Sequence, residues 1–292
     1  MDKYTIQTLA IKAKLCWPNV DNSLRERIFL QELLLSPKTH ADPTAWNTAW
    51  AQLLSQYAVT NLDWDLIPYH YKQPAIYARF YGDYSLTGSE LVVYDLWQEL
   101  RNHVFQMYLK NTPEVHEYGC GSGLNLLTLA RQFPGKKLVG YDVSPAAITT
   151  VKLIAERHPE INLQGEQYSF IDGFPSNDTK PRLAIPFKNH AVLTCGALEQ
   201  VGNRWQSFLN LVMWQQPSIC VHVEPLLELY DETLLFDWLA ARYHRGRGYL
   251  EGFLPAIRQL EKDGRAEIIT CDRTYFGNVH NEGFSILVWK PK

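Results

Sequence analysis

Residues 117–125 read E-Y-G-C-G-S-G-L-N, with three glycines at alternate positions, Gly119, Gly121 and Gly123, behind the acid Glu117. Glycine loses more conformational freedom on folding than any other residue, so glycine at this density indicates that something approaches the backbone closely. The residues before the turn are typical of a short strand, and those after it are typical of a helix. Glycine-rich turns in this context bind nucleotide-like cofactors, and the spacing of the glycines distinguishes among them.

The spacing excludes two common phosphate-binding turns. A P-loop needs G-x-x-x-x-G-K-[ST], and no such stretch occurs in the chain. The dinucleotide fingerprint needs G-x-G-x-x-G, but counted from Gly119 its last glycine falls on Leu124. What remains is an acid followed by G-x-G-x-G, with a second acid, Asp142, at the end of the following strand.

Strands alternate with helices throughout the sequence after the first third. Predicted strands cover residues 114–118, 137–141, part of 161–171, 191–195, 218–223, 267–275 and 284–289. Predicted helices cover residues 91–107, 124–133, 145–158, 205–214, 226–243 and 249–262. The alternation predicts an α/β fold with a mainly parallel, seven-stranded sheet that is covered by helices on both faces. The last two strands are expected to form an antiparallel hairpin.

Two regions are predicted along the chain. Residues 1–86 lack an alternating strand pattern and are expected to form a helical N-terminal region that acts as a lid. Residues 87–292 are expected to form the α/β domain, which opens with the capping box T-G-S-E at residues 87–90. A helical insertion is predicted at about residues 226–262.

Composition and charge limit the classes of function. The net charge of −3 gives no sign of a general nucleic-acid or membrane surface. The chain start lacks the apolar stretch of a signal peptide, and its five scattered cysteines are typical of reduced thiols, so we expect a cytoplasmic protein. A small-molecule partner is therefore expected, without nucleic acid or membrane, and the sequence leaves the oligomeric state open.

The glycine turn and the two acids resemble those of class I methyltransferases that use S-adenosylmethionine. The resemblance spans residues 115–290 and implies a Rossmann-like fold in which the turn contacts the methionine end of the cofactor. It implies that Glu117 approaches the amino group and that Asp142 holds both ribose hydroxyls. A ribose diol needs a bidentate anionic acceptor, and an ammonium group needs a nearby carboxylate, so the chemistry agrees. The alternative is an ordinary strand-to-helix turn with Asp142 as a helix cap.

The resemblance extends the expected cofactor site to neighbouring residues. Tyr118 and Val143 adjoin the two acids. The adenine contact in this family comes from the region of the third strand, where Asp172 is the candidate and Glu166 is the alternative. Residues 173–189 read as an insertion.

Three polar residues at strand ends are candidates for catalysis. Glu199 follows the fourth strand in T-C-G-A-L-E-Q-V-G, where it could be a catalytic base or a structural anchor. His222 and Glu224 are two residues apart on the fifth strand and therefore point to the same face. They could be a histidine–carboxylate base pair, a satisfied structural pair or metal ligands, and no third ligand for a metal is apparent.

A basic segment follows the fifth strand. Arg242, His244, Arg245 and Arg247 lie within six residues, and a break is expected at residues 246–248. His244 and Arg247 are candidates for binding an anionic group of the acceptor, and Arg79 in the N-terminal region is a third. A charge run of this kind can also be only a solvated helix face.

The sequence thus predicts a methyltransferase that modifies a small polar molecule. The expected acceptor is a hydroxyl of a sugar or of another hydroxylated, possibly anionic, metabolite. A hydroxyl oxygen needs a base before it can attack a methyl group, and His222 or Glu199 would supply it. The alternatives are methylation of nitrogen in protein or nucleic acid, and a catalytically silent module that only binds the cofactor.

Overall fold

The structure is a computed structural model, and it describes residues 18–37, 43–60, 76–87, 92–170 and 189–292. Its helices are α1 Asn22–Leu34, α2 Pro43–Val59, α3 Val92–Tyr108, α4 Leu124–Gln132, α5 Pro145–Arg157, α6 Gln206–Gln215, α7 Leu235–Arg247 and α8 Phe253–Lys262. Its strands are β1 Tyr77–Phe80, β2 Asp83–Leu86, β3 Glu114–Tyr118, β4 Lys137–Asp142, β5 Leu163–Gln167, β6 His190–Cys195, β7 Ile219–Glu224, β8 Ala266–Arg273, β9 Phe276–Gly277 and β10 Ser285–Pro291. Short 3₁₀ turns occupy Leu198–Val201 and Leu227–Leu229.

Seven of these strands form one sheet in the order β5-β4-β3-β6-β7-β10-β8. The strands from β5 to β7 pair in parallel, and β10 pairs antiparallel with both β7 and β8. The predicted fold class, including the antiparallel terminal hairpin, is therefore confirmed. Because the first five strands are parallel, their carboxyl ends lie at one edge of the sheet, where open α/β sheets bind ligands.

Local sequence explains where the helices beside this edge begin. Ser144 caps α5 through a hydrogen bond that its side chain accepts from the backbone N–H of Ala147, and Pro145 occupies the first turn. Both features suit a helix start, because the cap satisfies a free N–H and proline needs none. Gly123 precedes α4 with a positive φ of 83°, which glycine adopts without strain. The capping box predicted at residues 87–90 lies largely outside the described residues.

The sheet is buried on both faces. One face packs against α3, α4 and α5 through residues such as Val104, Leu126 and Val151. The other packs against α6 and α8 through residues such as Phe208, Leu254 and Trp289. The sheet is thus held in a three-layer arrangement, which fixes the positions of its strand ends. None of the described helices is long and apolar enough to cross a membrane.

The N-terminal region contains strands that the sequence analysis did not predict. β1 and β2 form an antiparallel hairpin, and β9 pairs with β1 to make a second, three-stranded sheet. Tyr81 and Gly82 connect the hairpin with φ values of 49° and 80°. Positive φ at both residues of a two-residue loop is typical of the turn that matches the twist of its strands. The strands have only four residues each, too few for an alternating pattern to stand out.

Candidate functional site

The glycine turn is closely packed and lies beside the end of β4. The N–H of Gly119 donates to the carbonyl of Tyr141 at 2.7 Å, and Gly119 and Gly121 have φ values of 75° and 52°. A Cβ added to Gly119 would collide with Ala197, and one added to Gly121 would lie 2.7 Å from the ring of Trp50. Glycine is therefore required here by backbone conformation and by space.

Asp142 is held rigidly at the carboxyl edge of the sheet. Its Oδ2 accepts from the N–H of Gly121 at 2.9 Å, and its Oδ1 accepts from the N–H of Ser144 at 2.8 Å. Burial raises the pKa of Asp142, and these backbone hydrogen bonds oppose that effect. Each carboxylate oxygen retains a second acceptor direction, so the pair can still receive two hydroxyl donors. Val143, the next residue, is an apolar side chain that is 43% exposed.

Glu117 is fully buried with one oxygen unused. Its Oε1 accepts from Nδ2 of Asn125 at 2.6 Å, whereas its Oε2 has no hydrogen-bond partner among the described residues. Burial raises the pKa of Glu117 to about 8, with Asn125 and Arg101 acting in the opposite direction. An unsatisfied buried carboxylate oxygen is costly, and a cationic donor would satisfy it. This arrangement fits a ligand that carries both an ammonium group and a diol: the free Oε2 of Glu117 suits the ammonium group, and the fixed carboxylate of Asp142 beside the glycine turn suits the diol.

Tyr118 contributes only its backbone to this edge. Its side chain is buried in the core, where its ring stacks on Tyr141 at 4.7 Å and its hydroxyl donates to Oε1 of Gln215 at 3.2 Å. A cofactor contact of Tyr118 could therefore involve only its backbone. Asp172 lies outside the described residues, and Glu166 is exposed on β5.

Glu224 anchors the segment after β6. Its Oε1 accepts from the N–H groups of Ala197 and Leu198 at 3.0 and 3.1 Å, and its Oε2 accepts from the N–H of Glu199 at 3.1 Å. Burial raises the pKa of Glu224 to about 7 despite these hydrogen bonds. Because both oxygens hold the start of the 3₁₀ turn, Glu224 positions Glu199 and is not itself the predicted base.

His222 is a structural residue of the core. Its Nε2 accepts from the indole N–H of Trp289 at 3.0 Å, so its Nδ1 carries the proton and donates to Oγ1 of Thr194 at 2.9 Å. Burial lowers the pKa of His222 to about 3. With both nitrogens engaged and no exposed surface, His222 cannot receive a proton from an acceptor, and the predicted histidine–carboxylate base pair is wrong.

Glu199 is the predicted catalytic residue that stays accessible. It is half-buried in the 3₁₀ turn after β6, and its Oε1 accepts from Nε2 of Gln200 at 2.6 Å. Burial raises the pKa of Glu199 to about 8, and the neighbouring Glu224 adds to the increase. A carboxylate with a pKa near neutrality can accept a proton effectively, which is the property required of a general base.

Most of the predicted basic cluster is engaged in structural contacts. Arg242 donates to the carbonyls of Glu32 and Leu35 at 2.9 and 3.0 Å, where it caps the end of α1. Arg245 forms a bidentate pair with Glu232 at 2.7 and 2.6 Å. His244 is fully buried and donates to the carbonyl of Leu250 at 2.6 Å, so its predicted role in acceptor binding is wrong.

Arg247 has a different environment from the rest of the cluster. Helix α7 ends at Arg247 and is capped by Gly248, which has a φ of 68°, so the break predicted at residues 246–248 lies slightly later, between Arg247 and the start of α8 at Phe253. The Nε of Arg247 donates to the hydroxyl of Tyr249 at 3.3 Å, and its guanidinium lies 5.9 Å from the ring of Tyr243. Burial raises the pKa of both tyrosines, and Glu199 is close enough to add to that effect. Arg247, the two tyrosines and Glu199 are therefore neighbours.

Arg79 cannot bind an acceptor from its place in the structure. It is fully buried in β1, where it donates to the carbonyl of Phe236 at 2.8 Å and lies 3.5 Å from the Phe236 ring centroid. Asp237 lies 3.8 Å away and balances its charge. The predicted role of Arg79 in acceptor binding is therefore wrong, because this side chain joins the small sheet to α7. Among the described residues, no three histidine, cysteine or carboxylate side chains converge as metal ligands.

Arg101 is a buried cation at the same edge that the sequence analysis missed. It lies on α3 and is 4% exposed, and its positive charge opposes the rise that burial causes in the pKa of the Cys195 thiol at the end of β6. The sequence did carry a signal for this residue. Arg101 follows Tyr94 by seven residues and Trp97 by four, which places it on the helix face that was predicted to be buried. An arginine on such a face needs a buried acceptor.

Comparisons by sequence identify no relatives. No protein-family model matches the chain, and no curated protein matches it.

Solved structures do match by shape. A crystal structure of the bifunctional kinase–methyltransferase WbdD is 14% identical over 67% of this chain, with a TM-score of 0.41. The mitomycin 7-O-methyltransferase MmcR is 14% identical over 70%, with a TM-score of 0.45. A SAM-dependent methyltransferase from Aquifex aeolicus is 12% identical over 65%, with a TM-score of 0.43. The chain spans 39% of WbdD, 56% of MmcR and 88% of the Aquifex protein.

The architecture of this chain is that of the class I methyltransferase fold. The seven-stranded sheet with one antiparallel strand, the glycine turn after its first parallel strand and the acid at the end of the next strand agree with the fold expected from the sequence. At these levels of identity the likeness to the solved structures concerns the fold.

Proposed function

We propose that this protein is an S-adenosylmethionine-dependent methyltransferase that acts on a hydroxyl group of a small polar molecule. The observation that carries the proposal is the edge formed by the glycine turn, Asp142 and the unpartnered Oε2 of Glu117. Asp142 would hold the ribose hydroxyls, Glu117 would receive the ammonium group, and Val143 offers apolar surface for the adenine ring. When bound, the cofactor supplies an electrophilic methyl group on a sulfonium sulfur.

Glu199 is the proposed base. It would accept the proton of the acceptor hydroxyl as the oxygen attacks the methyl carbon, and it would later release that proton to solvent. Glu224 fixes the position of Glu199 by accepting a hydrogen bond from its backbone N–H. Its pKa of about 8 makes the ionised carboxylate a stronger proton acceptor than an ordinary glutamate, and that form predominates above about pH 8. Alignment supplies much of the remaining rate enhancement in a displacement of this kind.

The residues around Glu199 favour a small acceptor with an anionic group. Tyr243 and Tyr249 supply aromatic surface, and Arg247 supplies a guanidinium that can form a bidentate pair with a carboxylate or phosphate. A hydroxylated sugar or another hydroxylated metabolite that carries such a group fits this chemistry. The net charge of −3 disfavours a nucleic-acid substrate.

Cofactor binding tests the proposal directly. Asp142→Ala should abolish S-adenosylmethionine binding in calorimetry, because it removes the acceptor for both ribose hydroxyls. Asp263→Ala, which removes an exposed carboxylate after α8, is the control and should bind as the parent does. If the parent itself binds no cofactor, or if Asp142→Ala binds equally tightly, the proposal fails.

A methyl-transfer assay then tests turnover. Hydroxylated metabolites with and without anionic groups should be compared with amine acceptors, a protein extract and RNA. Transfer to a hydroxyl supports the proposal. Cofactor binding without transfer to any of these acceptors would instead favour a silent binding module.

A further inference from the structure

His280 lies on the loop between β9 and β10, and this loop is held rigidly. The Oδ1 of Asn278 accepts from the N–H groups of His280 and Asn281 at 2.7 and 3.0 Å. Glu282 forms a bidentate ion pair with Arg273 at 2.6 and 2.7 Å. The backbone of His280 is therefore fixed from both sides, which reduces the entropy lost when its side chain binds a ligand.

A carboxylate from the N-terminal region orients the imidazole ring of His280. Its Nδ1 lies 3.1 and 2.9 Å from the two carboxylate oxygens of Glu32 on α1, whose side chain is 7% exposed. A carboxylate only accepts hydrogen bonds, so Nδ1 carries the proton and Nε2 keeps its lone pair. Glu32 is itself held, because Arg242 donates to its carbonyl at 2.9 Å. The fold thus sets both the position and the tautomer of His280.

The second ring nitrogen of His280, Nε2, is left for another partner. It makes no hydrogen bond in the described part of the chain, although the side chain is only 33% exposed. The two nitrogens lie on different edges of the imidazole, so Nε2 is directed away from Glu32. A purely structural link between α1 and the loop would need only Nδ1. A fixed, partly buried nitrogen with a lone pair is suited to accept a hydrogen bond from a ligand.

His280 lies against the aromatic residues of the proposed acceptor site. Its ring stacks on Tyr243 of α7, with the ring centroids 4.6 Å apart and the planes inclined by 12°. Tyr243 precedes Arg247 by one helical turn, so both side chains lie on one face of α7. The guanidinium of Arg247 lies 5.9 and 5.4 Å from the ring centroids of Tyr243 and Tyr249. Through Tyr243, His280 therefore adjoins the group formed by Arg247, the two tyrosines and Glu199.

Resting on the proposed function, we propose that Nε2 of His280 accepts a hydrogen bond from a second hydroxyl group of the acceptor. Arg247 would bind the anionic group, and Glu199 would take the proton of the hydroxyl that is methylated. His280 would then select acceptors that carry a further hydroxyl, because its free lone pair is satisfied only by such a donor. The acceptor class is accordingly a polyhydroxylated anion. Glu32 is a positioning residue, since it acts through the orientation of His280.

The tautomer of His280 is tested by ¹⁵N NMR of the histidine side chains, with His280→Phe to assign the signal. In its neutral form, His280 of the parent should show a protonated Nδ1 and an unprotonated Nε2. Glu32→Met should remove this preference, because no carboxylate then holds the proton on Nδ1. A protonated Nε2 in the parent, or an unchanged tautomer in Glu32→Met, overturns the proposal. If Glu32→Met does not fold, the spectrum of the parent still decides.

Three anions test ligand binding by NMR titration in the presence of S-adenosylhomocysteine. Glucuronate and glucose 6-phosphate carry an anionic group and several hydroxyls, whereas cyclohexanecarboxylate carries its carboxylate on a ring without hydroxyls. At least one of the two hydroxylated anions should shift the Nε2 resonance of His280 in the parent. His280→Phe can still stack on Tyr243. It should weaken binding of that anion about 10-fold, as expected for a lost hydrogen bond, and leave cyclohexanecarboxylate binding unchanged.

His158→Phe is the matched control. The Nδ1 of His158 also pairs with a carboxylate, that of Glu160 at 3.2 Å, but this pair lies at the C-terminal end of α5. The control should bind all three anions as the parent does. If neither hydroxylated anion shifts the Nε2 resonance, or if His280→Phe weakens all three anions equally, the proposal is overturned. If His280→Phe does not fold, the titration of the parent still decides. Failure of the parent to bind S-adenosylhomocysteine overturns the proposed function itself.

Discussion

Three glutamates at the carboxyl edge of the sheet differ in role because they differ in their hydrogen-bond partners. Both oxygens of Glu224 are occupied by backbone N–H groups, which makes it an anchor. Glu117 uses one oxygen for Asn125 and leaves the other for a ligand. The carboxylate of Glu199 accepts a hydrogen bond from Gln200, and the residue stays half-buried beside Tyr243 and Tyr249. The same type of side chain therefore serves as a structural anchor in Glu224, as the proposed binding group in Glu117 and as the proposed base in Glu199.

The role of Glu199 has a kinetic consequence. Glu199→Gln should lower turnover by roughly 10²–10⁴, the range for losing a general base, with little effect on cofactor affinity. The parent rate should rise with pH and level off above about pH 8, because the pKa of Glu199 is raised to that value and only the ionised form accepts a proton. That rising limb should disappear in the variant. Near-normal turnover of Glu199→Gln with a known acceptor would rule it out as the base.

The sequence indicated the proposed cofactor residues directly, but it left His222 and Glu199 as rival candidates for the base. Glu117, Gly121 and Asp142 follow from spacing along two consecutive strands, and these positions are local. His222 looked like a base because its partner Trp289 is 67 residues away and could not be inferred from a strand pattern. The role of Glu224 likewise depends on how β7 pairs with β6, which brings its side chain to residues 197–199.

At the level of elements, α7 combines anchoring residues with one accessible cation. Arg242 holds the end of α1, His244 holds Leu250, and Arg245 pairs with Glu232 at the surface. A run of basic residues looks uniform in sequence, but helical geometry directs successive side chains about 100° apart. Arg247 is consequently the member of the run that adjoins Glu199, through Tyr243 and Tyr249.

This difference within α7 gives a paired prediction. Arg247→Ala should raise the acceptor KM by about 10- to 100-fold, because a charge-assisted pair with an anionic acceptor is lost. Arg245→Ala should leave KM unchanged, since its guanidinium is satisfied by Glu232. Steady-state kinetics with both variants and with Arg247→Lys measure the effect. An unchanged KM in Arg247→Ala, or an acceptor without a negative charge, would refute the anionic-acceptor hypothesis.

Helix α2, in the described part of the N-terminal region, approaches the glycine turn. Asn47 on α2 accepts through Oδ1 from the hydroxyl of Ser144 at 2.7 Å, and Trp50 packs against Gly121. The guanidinium of Arg157 donates to the carbonyls of Tyr57 and Ala58 at 3.1 and 3.3 Å and fixes the other end of α2 along α5. The sequence predicted helices in this region but could not predict which one covers the site, because the contacts join residues about 100 positions apart.

Across the whole molecule, buried titratable groups make the stability of the folded state depend on pH. Burial raises the pKa of Glu117 and Glu199 to about 8 and that of Glu224 to about 7, from an ordinary value of 4.5. Burial lowers the pKa of His116 and His244 to about 4 and that of His222 to about 3, from an ordinary value of 6.5. The folded protein therefore keeps protons on the acids, and excludes them from the histidines, at pH values where the unfolded chain does the opposite.

The sign of each contribution follows from proton linkage. Acids with a raised pKa bind more protons when folded, so their contribution to stability falls as pH rises from about 4.5 to about 8. Histidines with a lowered pKa bind fewer protons when folded, so their contribution grows as pH rises from about 4 to 6.5. Between about pH 4.5 and 6.5 the two effects oppose each other, and above pH 6.5 only the acids remain. The free energy of unfolding should therefore be greatest between about pH 4.5 and 6.5.

Thermal unfolding of the cofactor-free protein at constant ionic strength measures this profile. The melting temperature at pH 8.5 should be lower than that at pH 5.5 by roughly 3–10 °C, since one proton is worth about 1.4 kcal/mol per pH unit. Glu117→Gln replaces the protonated acid by a neutral group of the same shape that still accepts from Asn125. It should match the parent near pH 5.5 and melt above it at pH 8.5, because no buried charge has to form. A melting temperature that rises steadily to pH 8.5, or an unchanged profile in Glu117→Gln, would contradict a buried and protonated Glu117.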